Sequence, residues 1–308
     1  MFTIDVDEGK WKKEIIETLL IDRTTNRNII WGTDDYEILG REYDSHYPIL
    51  YSLITGKNSN VIQPRILKTK ESQGKRTKGK AEVFTPSWVC NAQNNLVDNA
   101  WFGSENIFNR EIEKGWETNT EKIKFPDKKN KTWQKYVDEK RLEITCGEAP
   151  YLVSRYDTVS GEPLELKDRI GMLDRKMRVV CENTDSDTEW LKWSERAFQS
   201  VYGFEFQGDS LLIARENLLA SYCDYMEEKL NRYPTEKELV NIAKIISWNL
   251  WQMDGLTYTI PYEEAVEPFK QVALFDLHEK EKKCLCIIKD WRAKRIYTFQ
   301  DLVNKGGN

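Results

Sequence analysis

The chain has 308 residues and a formal net charge of −5, and 40% of its residues are hydrophobic while 31% are charged. This length can bury a substantial core in one large domain or two, and the composition is typical of a globular protein. No apolar stretch reaches membrane-span length and the first residues lack a signal-peptide core, so we expect no membrane partner and a cytoplasmic location. The six cysteines form no Cys-x-x-Cys pair and there are two histidines, which argues against a metal site or a disulfide framework.

Residues 1–80 predict a region of mixed α/β structure. The pattern favours a helix over about residues 10–20 and a short strand at 29–31. The region ends in a basic stretch, residues 65–80, with seven basic residues against Glu71 alone. Such a stretch predicts either a surface that contacts phosphates or a solvated linker. Its candidate nucleic-acid contacts are Lys75, Arg76, Lys78 and Lys80.

A helix is expected over residues 86–100, directly after Phe84-Thr85-Pro86. Thr85 can serve as the helix N-cap, and Pro86 suits the first helical turn. An ordinary capped helix start explains these residues equally well. The following residues, 103–135, are polar and are expected to form loops.

Residues 142–152 read Leu-Glu-Ile-Thr-Cys-Gly-Glu-Ala-Pro-Tyr-Leu. An apolar entry leads through Glu143 to a tight turn of small residues at Cys146-Gly147, and then to an aromatic residue. This pattern predicts a strand at about 141–146, a loop and the start of a helix. A glycine turn after a strand is common, so the loop alone does not identify a function.

The rest of the chain alternates helices and strands, as expected for an α/β protein. A long insertion at 153–187 precedes these elements. We predict helices at 188–200, 209–231 and 236–245, strands at 201–206 and 245–251, and a hairpin from 284–290 and 295–300. Glu205 then lies near the end of the second strand, and Asp254 follows the third.

Four segments resemble, in order, the N6-adenine DNA methyltransferases, in particular the modification subunits of type I and combined restriction–methylation enzymes. The segments are residues 81–89, 142–152, 201–219 and 245–256. The resemblance implies a Rossmann-like fold that binds S-adenosylmethionine, here with a partial sheet. It also implies two domains, an N-terminal mixed region with a basic linker at 1–80 and a methyltransferase-like cofactor-binding domain at 81–308.

The resemblance also implies a set of cofactor-binding residues. Glu205 would accept hydrogen bonds from the ribose hydroxyls, and Asp254 would bind the adenine amino group. A solvated charge at a strand end remains an alternative for Glu205, and a plain Asp-Gly turn remains one for Asp254. The full set is Phe84, Thr85, Pro86, Glu143, Cys146, Gly147, Glu205 and Asp254.

The sequence departs from the family at two places. It lacks the Asn/Asp-Pro-Pro-aromatic segment that holds the extruded adenine, since its nine prolines include no adjacent pair. The nearest substitutes are Asp290 as the acceptor and Trp291 as the stacking residue, although a strand with a polar end also explains them. Ala149 and Ile144 replace a usual glycine and proline in the loop, so we expect weak cofactor binding.

The resulting expectation is an S-adenosylmethionine-binding, DNA adenine-N6 methyltransferase-like module of a restriction-modification system. The first strand would be an exposed edge unless the strand at 284–290 or a second chain pairs with it. A split or incomplete enzyme fits this pattern, with double-stranded DNA and a second chain as partners. The alternative is an enzyme-dead DNA-binding or scaffold subunit, and whether this chain alone is an enzyme stays open.

Overall fold

The computed structural model describes residues 11–80, 85–262 and 284–306, and it shows a mixed α/β protein with helices and small sheets. Its α-helices are α1 (Lys13–Leu20), α2 (Tyr51–Ile54), α3 (Lys70–Lys80), α4 (Ser87–Phe102), α5 (Trp133–Asp138), α6 (Met172–Asn183), α7 (Asp187–Phe198), α8 (Gly208–Leu230), α9 (Glu236–Asn249) and α10 (Phe299–Gly306). Its strands are β1 (Asn109–Ile112), β2 (Gly115–Thr118), β3 (Arg141–Glu143), β4 (Val201–Glu205), β5 (Leu250–Gln252), β6 (Ile287–Asp290) and β7 (Arg295–Thr298).

A parallel sheet with the order β3-β4-β5 lies at the centre of the molecule. The connection from β3 to β4 contains α6 and α7, and the connection from β4 to β5 contains α8 and α9. All five residues of β4 are buried, which explains why this strand is almost continuously apolar. Because the three strands are parallel, their carboxyl ends share one edge of the sheet, which is where crossover folds bind their ligands.

Each face of the sheet is covered by a different set of elements. Val201 and Leu250 join the main core, which is built largely from α1, α6, α7, α8 and α9. Tyr202, Phe204 and Trp251 point to the other face, where they pack against the β6–β7 hairpin and Phe299 of α10. The alternation of β4 side chains thus divides the core between two layers.

The described N-terminal residues pack into the same core as the sheet. Buried hydrophobic side chains between Trp11 and Ile62 belong to the same hydrophobic core as residues of β4 and α8. Gln252 of β5 exchanges two side-chain hydrogen bonds of 2.9 Å with the backbone of Ile30. A Cβ atom on Gly208 would lie 1.9 Å from the carbonyl oxygen of Ile30, so glycine is required where α8 begins. The boundary at residue 80 stays a prediction.

Several sequence predictions of secondary structure are confirmed, and others need correction. The hairpin is confirmed, with β6 and β7 pairing antiparallel. The third strand is shorter than predicted, because residues 245–249 continue α9 and place their apolar side chains on its buried face. The predicted loop at 103–135 contains the β1–β2 hairpin and the start of α5. The basic stretch that could have been a linker contains helix α3.

The strand at 284–290 does not complete the sheet. β6 pairs with β7 in a separate two-stranded sheet, so among the described strands none pairs with the outer edge of β3. Of the helices within the described ranges, none has both the length and the apolar character that crossing a membrane requires.

Candidate functional site

A tight loop follows β3 at the carboxyl edge of the parallel sheet. Thr145, Gly147 and Ala149 have φ angles of 46°, 52° and 63°. Left-handed backbone costs roughly 1–2 kcal/mol at a residue with a side chain, so Ala149 is strained where the resembling family uses glycine. The Cys146 N–H donates to the Phe204 carbonyl at 2.8 Å and ties the loop to β4.

Glu143 closes the far side of this loop. Its buried carboxylate accepts hydrogen bonds from the N–H groups of Tyr151 at 3.3 Å and Leu152 at 3.0 Å. Burial raises the pKa of Glu143 to about 8, although these two bonds act in the opposite direction. Both carboxylate oxygens of Glu143 are thus used to hold residues 143–152 in their conformation.

Glu205 lies at the end of β4 and meets the loop directly. Its carboxylate accepts the N–H groups of Gly147 at 2.8 Å, Phe206 at 2.9 Å and Gln207 at 3.1 Å. Burial raises its pKa, and the three hydrogen bonds oppose that shift. The structure thus brings together Gly147 and Glu205, two residues that the sequence predicts for one site.

Cys146 is a packing residue of the loop. Its thiol is buried, and burial with the nearby Glu143 charge raises its pKa well above the ordinary value. The thiol therefore stays protonated at neutral pH and is a poor nucleophile. A Cβ atom on Gly203 would lie 3.3 Å from its sulfur, so glycine in β4 makes room for Cys146.

The other predicted cofactor residues have mainly structural contacts. Pro86, and not Thr85, is the N-cap of α4, and the Ser87 N–H donates to the carboxylate of Asp157 at 2.6 Å. This carboxylate supplies the capping acceptor that the sequence assigned to Thr85. Asp254 follows β5, and its Oδ1 accepts the Leu256 N–H at 2.8 Å within a turn. Phe84 lies outside the described residues.

Asp290 and Trp291 lie at the opposite end of the sheet from the loop. Asp290 accepts a hydrogen bond of 2.7 Å from Lys140, which directly precedes β3. Trp291 donates to the side chain of Asn249, which directly precedes β5, at 2.7 Å. Because these contacts are at the amino ends of parallel strands, the structure does not bring the predicted catalytic pair to Cys146 and Glu205.

The basic residues of the stretch 65–80 differ in burial where the structure describes them. Arg76 is 1% exposed and donates to Asp35 at 2.6 Å and to Asp209 at 2.9 Å. Lys68 also donates to Asp209 at 2.9 Å, and these cations hold the pKa of Asp209 far below its usual range. Lys78 is exposed on α3. The side chains of Lys75 and Lys80 lie outside the described residues. The phosphate contacts of Lys75, Lys78 and Lys80 stay predictions, whereas the guanidinium of Arg76 is already held by Asp35 and Asp209.

Sequence reasoning missed a buried polar network on α4. Arg175 of α6 donates to Asp98 at 2.7 Å and also to the side-chain oxygens of Asn91 and Asn95. Asn94 donates to the carbonyls of Tyr151 and Ile170. The spacing of these residues shows one helical stripe, but such a stripe usually marks a face in solvent. The sequence does not indicate that Arg175 of α6 is buried against this stripe, and without that contact the network could not be predicted.

No family model, curated protein or solved structure matches this chain.

Proposed function

We propose that this chain is an S-adenosylmethionine-binding, DNA adenine-N6 methyltransferase-like module of a restriction-modification system, and that it needs a second chain for methyl transfer. One observation carries the proposal, the 2.8 Å hydrogen bond between Gly147 and Glu205. It joins a glycine loop after one parallel strand to a carboxylate after the next. This arrangement is expected for a Rossmann-like nucleoside site at the carboxyl edge of a sheet.

Glu205 retains capacity to bind a ribose. A carboxylate has roughly four lone-pair positions, and Glu205 uses three of them on backbone N–H groups. One further lone-pair position is thus left for a ribose hydroxyl, and a second hydroxyl would have to replace one of the three backbone N–H groups. Asp254 lies after the third strand of the same edge, and its Oδ1 is already held in a turn. This partial occupation supports weak binding.

S-adenosylmethionine supplies an electrophilic methyl group when it is bound. The residues of this chain would bind and orient it, since Glu143 and Glu205 fix the loop on both sides. The sequence offers no Pro-Pro turn for an extruded base, and Asp290 and Trp291 lie at the other end of the sheet. That position favours a second candidate function, an enzyme-dead DNA-binding or scaffold subunit.

Calorimetric titration with S-adenosylmethionine tests the proposal. We expect measurable binding by the parent chain, and Glu205→Ala should weaken it by roughly 1–3 kcal/mol because charged hydrogen bonds are lost. The control is Glu227→Ala, which removes an exposed carboxylate near the far end of α8. Circular dichroism checks that both variants fold.

Two outcomes would contradict the proposal. Absence of binding by the folded parent at millimolar ligand would remove the cofactor and leave the scaffold function. Equal affinity of the parent and Glu205→Ala would remove Glu205 from the site.

A further inference from the structure

Three basic side chains, those of Arg23, Lys244 and Lys289, come together where α9 leads into β5. They belong to separate parts of the chain, the turn after α1, the last turns of α9 and strand β6. Arg23 Cζ lies 6.0 Å from the ring centre of Trp248, and Lys289 Nζ lies 5.5 Å from the same ring. Lys244 precedes Trp248 by one helical turn, so their side chains are on the same face of α9. We call these three cations the amino-edge cluster.

No carboxylate neutralises the amino-edge cluster in the described part of the chain. None of its three cations forms an ion pair with a described residue. Burial lowers the pKa of Lys289, and repulsion from Lys244 and Arg23 lowers it further. The acid that acts on Arg23 is Asp22, whose Oδ2 accepts the Thr25 N–H at 2.8 Å. An anion bound among the three cations would relieve their mutual repulsion.

Aromatic rings and a hydroxyl hold these cations in place without cancelling their charge. Lys289 Nζ lies 3.9 Å from the ring centre of Trp291, and the Trp291 indole N–H donates to the side chain of Asn249 at 2.7 Å. Arg23 donates to the Ser247 hydroxyl at 2.8 Å. An exposed cation–π contact contributes only about 0.5–1 kcal/mol and leaves the ammonium charged. The cluster is therefore fixed in position and still able to attract an anion.

The arrangement fits a chain of phosphates better than stacked bases. The cations come from three elements and flank the ring of Trp248, so they can contact several phosphates along one backbone. Lys289 already covers a face of Trp291, which is therefore not open to a base. The chain carries a net charge of −5, so a polyanion approaches most favourably where positive charge is concentrated and unpaired.

We infer that Arg23, Lys244 and Lys289 bind the phosphate backbone of duplex DNA. This surface rests on the proposed function for the identity of its partner, and it gives that partner a contact at the amino edge of the sheet. Phosphate contacts carry no sequence information directly, so the binding has no sequence preference of its own. Gly147 and Glu205 lie at the opposite edge, so duplex and cofactor do not compete.

The test measures binding of a mixed-sequence duplex to the full chain at several salt concentrations, without S-adenosylmethionine. Lys244→Gln and Lys289→Gln should each lower the salt slope by about 0.9, the value for one phosphate contact. The matched control is Lys192→Gln, which removes the same charge from an exposed position on α7 and should keep the parent slope. Circular dichroism checks that the variants fold.

Two competitors distinguish the duplex from other polyanions. The single strand of the same sequence and poly-glutamate should both bind more weakly than the duplex at equal salt. Tighter binding of the single strand would overturn the inference in favour of a surface for unpaired nucleic acid. Equal binding of poly-glutamate would overturn it in favour of an acidic polypeptide.

The slopes of the variants give the remaining outcomes. A duplex that binds with an unchanged slope in both Lys244→Gln and Lys289→Gln would overturn the inference and leave the proposed function standing. An equal fall in slope for Lys192→Gln would show an effect of net charge alone and would also overturn it. Absence of cofactor binding in the calorimetric titration would contradict the proposed function and leave these slopes unaffected.

Discussion

Glu143 is a buried acid without a cationic partner among its hydrogen bonds. Two backbone N–H groups stabilise its charged form, but burial dominates and raises its pKa to about 8. The folded chain therefore binds a proton at Glu143 more tightly than the unfolded chain does. Between the ordinary value of 4.5 and about 8, folding takes up a proton, so the free energy of unfolding falls as the pH rises through this window.

Glu143→Gln should reduce this pH dependence. The glutamine keeps an oxygen acceptor for the loop amides and has no charged form. We expect the variant to lose less stability than the parent between about pH 5 and 8 in urea titrations. Glu205 also has a raised pKa, so part of the slope should remain. Glu227→Gln, on the exposed end of α8, should behave like the parent. An unchanged slope in Glu143→Gln would contradict the raised pKa.

Sequence patterns predicted some residue positions well because those positions follow from chain order. Gly147 lies in the loop that follows β3 and Glu205 ends β4, and the parallel arrangement of these neighbouring strands implies that the two residues lie close together. Arg76 shows the limit of this reasoning. Seven basic residues in 16 positions predicted either a surface that contacts phosphates or a solvated linker, but Arg76 is buried against Asp35 and Asp209, which are distant in sequence. Contacts of this kind cannot be obtained from local composition.

At the scale of elements, α3 is a polar helix that is anchored by ion pairs. Besides Arg76, Gln73 holds it by donating to the carbonyls of Arg65 and Lys68. The residue that anchors the helix and those that face solvent, such as Lys78, should therefore respond differently to substitution.

If the chain binds duplex DNA through α3, Lys78→Gln should lower the salt slope of binding by about 0.9, the value for one phosphate contact. Arg76→Gln should instead destabilise the fold by about 3–5 kcal/mol, because buried Asp209 is left with Lys68 alone and Asp35 loses its ion pair with Arg76. Filter binding at several salt concentrations and urea titration measure the two effects. If Lys78→Gln leaves the slope unchanged, Lys78 makes no phosphate contact.

The third strand illustrates why element boundaries were the less predictable part of the fold. Residues 245–251 form a mostly apolar run that is short enough to be a buried strand. In such a run the hydrophobic pattern does not distinguish a helix from a strand. The structure extends α9 to Asn249, since Leu239, Ile242 and Ile246 form one buried helical face. Three residues remain for β5. The strands of the sheet are nevertheless parallel, as the alternation of helices and strands predicts.

At the scale of the whole molecule, the residues that the resemblance assigns to methyl transfer do not all lie on one side of the sheet. The loop and Glu205 occupy the carboxyl edge of the sheet, whereas Asp290 and Trp291 contact residues at the amino edge. Positioning of reacting groups can supply several kcal/mol of a reaction barrier. Asp290 and Trp291 do not lie beside the loop, so they would not supply that contribution for an extruded adenine there.

The isolated chain should therefore transfer no methyl group to DNA. The assay is incorporation of tritiated methyl groups into DNA of mixed sequence, with and without candidate partner chains that carry an Asn-Pro-Pro-aromatic segment. Incorporation only with a partner would support the split enzyme. Robust incorporation by this chain alone, abolished by Asp290→Ala, would show that Asp290 acts in spite of its position.

The buried polar face of α4 also restricts how this helix can move. Hydrophobic contacts tolerate small rotations of a helix, but hydrogen bonds depend on direction and distance. A rotation of α4 that buried Leu96 and Val97 would separate Arg175 from Asp98, Asn91 and Asn95. Each buried group left unpaired costs about 1–3 kcal/mol. Turning the helix therefore cannot bury Leu96 and Val97 without this cost, and we expect the exposed face of α4 to favour aggregation unless another surface covers it.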